Sequence, residues 1–173
     1  MDIKETVHFS LKAPIVIGKH ISFRSTCGLT EFEIHLFELA FQLLKQYAEN
    51  GHPIRDDMRV NVAVIDKDEI VFENPADKSF GCHMNWVFYY IHRIRQKPKA
   101  HEVHYMATIL EELCHALYLI TDETEVKKTV LEIVNQMDGV NVEFDDWYQG
   151  ENPPHLMPFL PRQRLFIEVS TAK

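Results

Sequence analysis

The stretch from His101 to about Ile120 constrains this chain more than any other. Val103, Met106, Ala107, Leu110, Leu113, Cys114, Leu117 and Ile120 recur at helical spacing, which predicts one long amphipathic helix with a face committed to a core. A second helix is announced by Thr30-Glu31-Phe32-Glu33, a capping box in which the Thr30 side chain accepts from the third helical N–H while Glu33 reaches back. Phe32, Leu36, Leu39, Ala40, Leu43, Leu44 and Tyr47 then follow on one face, and Asn50-Gly51 offers a left-handed residue to stop it. Asp122-Glu123-Thr124-Glu125 restarts a helix, with Val126, Val130, Ile133, Val134 and Met137 inward until Asp138-Gly139.

Strands are expected around these helices. Residues 58 to 65 alternate, with Met58, Val60, Val62 and Val64 on one face and Arg59, Asn61 and Ala63 on the other. Glu69 to Glu73 reads as a shorter strand ended by Asn74-Pro75. Met84 to Ile91 is apolar on both faces, which predicts a strand packed between two layers with the Trp86, Phe88 and Tyr90 stripe in the core. The segment from Val7 to Arg24, with Ile15 to Ile17 and then Ile21 and Phe23, reads as one or two short strands, and Arg164 to Val169 as a last one. From residue 138 the chain turns acidic and proline-rich, and Asp145 and Asp146 read as solvated loop. The expectation is an α+β chain, a single domain over 1–173 with its core in 30–137 and a C-terminal segment over 138–173.

Composition narrows the function classes. A chain of 173 residues suits one domain. With 18 basic against 26 acidic residues, its net charge of -8 argues against nucleic-acid binding, which needs clustered Lys and Arg. No run approaches the roughly 18 residues of a membrane helix, and the start lacks the order of a signal peptide. The odd count of three cysteines suits a reducing compartment. These features predict a soluble, cytoplasmic protein. The unusual number is ten histidines, which directs attention to metal sites.

Glu111-Glu112-Leu113-Cys114-His115 lies in the middle of the long helix. Residues four apart differ in bearing by about 40°, so Glu111 and His115 project side by side and a cation can bridge them. Glu112 is displaced by about 100° from Glu111 and about 60° from His115, near enough to hold a water on that cation. The pattern is H-E-x-x-H with glutamate in the first histidine's place.

With Ile109-Leu110-Glu111-Glu112-Leu113-Cys114-His115-Ala116-Leu117 as motif, Tyr89-Tyr90-Ile91 ending the strand before it and Glu125 to Val134 after it, the chain resembles the short zincin-type metallopeptidase domains, SprT-like or ImmA/IrrE-like. The likeness covers roughly residues 30 to 137. It implies a mixed sheet of three to five strands, a motif helix and a following ligand helix. It also implies Glu112 as general base, and Glu111, His115 and Glu125 as metal ligands, with Glu123 as the reserve third ligand. Zinc is the metal it implies. Carboxylate oxygens at about 2.0–2.2 Å suit zinc, while oxygen-rich sites drift toward manganese, iron or magnesium. The resemblance thus implies a metal-dependent hydrolase, a peptidase or a degenerate relative of one, with a protein or peptide as substrate or partner.

Other readings stay open. Glu111 and Glu112 also read as a solvated helix face, His115 as a core histidine, and Glu125 as the closing residue of the Asp122 capping box. The substitution at Glu111 is also compatible with a non-catalytic protein-binding module on a zincin-like scaffold. A carboxylate-bridged di-iron protein would need a second E-x-x-H on four long helices, and the sequence has one copy.

Overall fold

The computed structural model describes residues 10–11, 13–66, 85–96, 102–148 and 167–168. Its elements are β1 (Ser10–Leu11), α1 (Ile15–Gly18), β2 (Ile21–Ser25), α2 (Glu31–Glu49), β3 (Val60–Ile65), β4 (Trp86–Tyr90), α3 (Ile91–Arg95), α4 (Glu102–Tyr118), α5 (Glu123–Val134), α6 (Phe144–Tyr148) and β5 (Ile167–Glu168). The chain is α+β. Strands β2, β3 and β4 form a parallel sheet in that order, and β1 pairs antiparallel with β5.

The sheet register explains which side chains make the core. Phe23 pairs with Val62 and Val62 with Val87, while Ser25, Val64 and Tyr89 form the next row on the same face. All six are buried. Helix α2 lies on this face through Phe37, whose ring meets Phe23 edge-on at 4.9 Å and Tyr89 at 5.3 Å. Edge-to-face pairs of this kind add about 0.5–1.5 kcal/mol beyond their buried area. Helix α4 covers the other end. Tyr89 Oη donates to the Ile109 carbonyl at 2.7 Å and Asn85 Nδ2 to the Ala116 carbonyl at 3.2 Å, so the helix runs back along β4. Met106, Leu110, Leu113, Cys114 and Leu117 are buried, as their spacing predicts.

Both helix starts behave as the sequence announces. Thr30 N–H donates to Glu33 Oε2 at 2.7 Å and Glu33 N–H to Thr30 Oγ1 at 3.2 Å. Arg95 then clamps the same carboxylate, Nε to Oε1 and Nη2 to Oε2, both at 2.7 Å. Gly51, with φ 107°, follows the end of α2. Asp122 Oδ1 accepts from the Glu125 N–H at 2.8 Å to open α5.

Several expectations differ from the structure. Ile15–Ile17 is not a strand but the turn α1, whose Ile17 and Gly18 N–H groups both reach the Pro14 carbonyl; so short an apolar run has no period to separate strand from helix. In β4 the alternation falls the other way: Val87 and Tyr89 are buried and Trp86, Phe88 and Tyr90 are half-buried, while Ile91 already belongs to α3. The sheet is parallel rather than mixed among the described residues. The buried cluster extends beyond 30–137, to Ile17, Ile21, Phe23, Val142 and Trp147. Asp145 and Asp146 lie in helix α6, not in a loop, and Trp147 beside them is 1% exposed. Asn135 makes this docking possible by clasping the backbone of Val142 through both ends of its amide, at 2.8 and 3.0 Å. Ile167–Glu168 falls within the strand expected at 164–169. The strand expected at 69–73 lies outside the described residues. No helix among the described residues is long and apolar enough to cross a membrane.

Candidate functional site

The motif residues separate into two neighbourhoods. His115 lies near the end of α4 and is partly exposed. Its Nδ1 stands 2.5 Å from the Ile120 carbonyl oxygen. Only a donor sits comfortably against a carbonyl, so Nδ1 carries a proton, and whenever the ring is neutral its lone pair is at Nε2. That nitrogen faces Glu123, with Oε1 at 3.6 Å.

Glu111, one turn earlier, is drawn instead toward α6. Its carboxyl is about half-withdrawn from water and faces the Tyr148 hydroxyl and the Lys127 ammonium. Burial pushes the carboxyl up from its ordinary range, Tyr148 and Lys127 bring it part of the way back, and the charges of Glu123 and Glu112 push it up again. The Tyr148 phenol is raised in turn, by burial first and then by the Glu111 charge. Its hydroxyl makes no well-formed hydrogen bond among the described residues, and neither does the Trp147 indole N–H or the Tyr118 hydroxyl. Lys127 Nζ lies 5.3 Å above the Tyr148 ring, within cation–π range. Cys114, between Glu111 and His115, is fully buried, and burial raises its thiol well above the ordinary value.

Glu112 is exposed, on the water-facing side of the same helix. Glu125 is exposed and its backbone is engaged by Asp122, so the structure puts Glu123 rather than Glu125 beside His115. Among the described residues, no three His, Cys, Asp or Glu side chains converge in a way that would hold a metal ion. The pair His115 and Glu123 does have suitable spacing. Two ligands about 2.1 Å from a tetrahedral ion stand about 3.4 Å apart, and the observed 3.6 Å is too long for a hydrogen bond. Glu111 does not supply a third donor while it faces Tyr148.

Sequence reasoning missed Tyr148, Trp147 and Lys127. The signal was present in Phe144, Trp147 and Tyr148, whose offsets of three and four mark one helical face. Their rings do pack: Phe144 and Tyr148 lie 5.0 Å apart. Two further histidines among the described residues are engaged elsewhere. His20 is buried with Nδ1 2.9 Å from the Met58 carbonyl, and His52 stacks on Tyr47 at 4.0 Å. His83 and His101 lie outside the described residues, as does the side chain of His104.

No protein-family model matches this chain, and no curated protein or solved structure matches it either.

Proposed function

We propose that the chain is a zincin-like metal-dependent hydrolase, a peptidase or a degenerate relative of one, with its working groups at His115, Glu123 and Glu112. The observation that carries this reading is the set of the His115 ring: Nδ1 is anchored on a backbone carbonyl and Nε2 faces a carboxylate at ligand spacing. Metal-binding histidines are oriented in this way, through a hydrogen bond on the other ring nitrogen.

A divalent ion held here, zinc first and manganese or iron in an oxygen-rich set, would polarise a carbonyl and acidify a water. The chain's own part is to orient Nε2, to offer the Glu123 carboxylate, and to keep the exposed Glu112 carboxylate on the adjoining bearing, where it takes a proton from water and returns it to a leaving amine. Protein or peptide is the substrate class this chemistry implies.

Elemental analysis of protein purified without chelator tests the reading. About one equivalent of metal in the wild type and none in His115→Ala is expected, together with a chelator-induced fall in melting temperature. Turnover of a peptide library should vanish in Glu112→Gln at unchanged melting temperature. Wild-type turnover equal to that of Glu112→Gln rejects the hydrolase.

A second reading, a non-catalytic protein-binding module on the same scaffold, is favoured by the turn of Glu111 toward Tyr148. Metal-free wild type with no chelator shift selects it.

A further inference from the structure

Two features meet directly behind the motif helix. Leu119, the first residue after α4, has φ 59°, and among the described residues it is the one non-glycine in the left-handed region. A leucine there is strained because its Cβ crowds the following carbonyl. Its side chain is 52% exposed, so burial does not offset the strain. Glycine would occupy the position at no steric cost. The second feature is what the turn delivers. The next residue, Ile120, carries the carbonyl that meets His115 Nδ1, and Glu123 follows three residues later with Oε1 facing Nε2.

The geometry points to Leu119 as a positioning residue for His115: its left-handed turn aims the Ile120 carbonyl at Nδ1, which fixes the ring as the Nδ1–H tautomer with the Nε2 lone pair toward Glu123. A right-handed Leu119 would continue the helix and carry the Ile120 carbonyl past the ring; an extended one would lead α5 away from it. Strained backbone held by its surroundings is characteristic of sites where orientation matters. The functional consequence rests on the metal reading given above, whereas the tautomer does not.

Long-range proton–nitrogen correlation spectra of the full chain, at a pH where the ring is neutral, read the tautomer directly. Wild type should give Nδ1–H. Leu119→Val, whose branched Cβ resists the left-handed region, should lose that signature while circular dichroism confirms a folded chain; Leu119→Ile, branched in the same way, serves if the valine variant does not fold. Leu119→Gly and Leu119→Asn, which tolerate the region, should keep it. A purely structural role would shift melting temperatures without this pattern. A folded Leu119→Val or Leu119→Ile with the wild-type tautomer overturns the assignment, and so does loss of the tautomer in Leu119→Gly.

Zinc titration adds the functional arm. Affinity should fall about 10- to 100-fold in Leu119→Val, the usual cost of removing a partner behind a ligand, and stay near wild type in Leu119→Gly. A wild type that binds no zinc but follows the tautomer pattern removes the metal reading and leaves the positioning role standing.

Discussion

Glu33 on α2 and Glu111 on α4 are both acids drawn from water on long helices, and the chain treats them in opposite ways. Glu33 is 3% exposed, yet each of its oxygens has a partner: Arg95 forks onto both, and the Thr30 N–H adds a third bond. Burial pushes that carboxyl up, but Arg95 and Thr30 outweigh it and hold it below the usual range. Glu111 keeps more contact with water yet ends above the usual range: burial pushes it up, and the opposing pull of the Tyr148 phenol and of Lys127, which is engaged over the Tyr148 ring, is too weak to bring it back against burial and the like charges of Glu123 and Glu112. What separates the two is the number of well-aimed donors. Burial alone does not decide whether an acid stays charged.

The comparison can be broken most strongly by removing the cover on Glu111. Trp147→Ala empties a buried site under α6 and should cost about 3–5 kcal/mol, measured by urea denaturation. The Glu111 carboxyl should then titrate closer to its ordinary value, as followed by carbon NMR. A wild-type titration in a folded Trp147→Ala would show that α6 is not what sets it.

Next in size is Arg95→Ala, which leaves the Glu33 carboxylate buried without its cation. Loss of one partner of a buried pair costs about 3–5 kcal/mol, and the partial exposure of Arg95 puts this case near 3 kcal/mol. A cost below about 1 kcal/mol, the range of surface pairs, would mean that the capping box alone holds Glu33.

The smallest effect sharpens the contrast. Glu111→Gln removes a half-withdrawn charge and should stabilise the chain at neutral pH by up to about 1 kcal/mol. The pH dependence carries the sign. Glu33 is depressed when folded, so its contribution is present above the unfolded value and lost as pH falls through the folded one. Glu111 is raised, so its contribution is present below the unfolded value and lost as pH rises through the folded one. Urea melts between about pH 3 and pH 7 should show Glu111→Gln lacking the falling component and Glu33→Gln lacking the rising one. Identical slopes in the two variants would erase the distinction.

The same contrast shows what the sequence could carry. Thr30 and Glu33 are three residues apart, so their box is legible from spacing alone, and so are the apolar stripes of α2, α4 and α5. Arg95 is 62 positions from Glu33, and no local pattern joins them. Spacing puts Glu111 and His115 on one side of one helix, but it could not show that Glu111 turns to Tyr148 while His115 turns to Ile120 and Glu123. Which later glutamate approaches His115 was not legible either, because the answer depends on Leu119 adopting a left-handed turn that leucine does not advertise. Trp147 was hidden by its acidic, proline-rich surroundings, which read as loop although Asn135 ties the segment down. In β4 both faces are apolar, so periodicity could not say which would be buried.

The parallel sheet has a kinetic side. Ile21 pairs with Val60, and Asn61 with Trp86, so no two of its neighbours in space are joined by a tight hairpin. Each pairing must wait for a long crossover to close, and the first of these contains α2. Refolding should therefore start with helix formation and proceed slowly, since contacts distant in sequence reward the chain only after the intervening segment has been ordered.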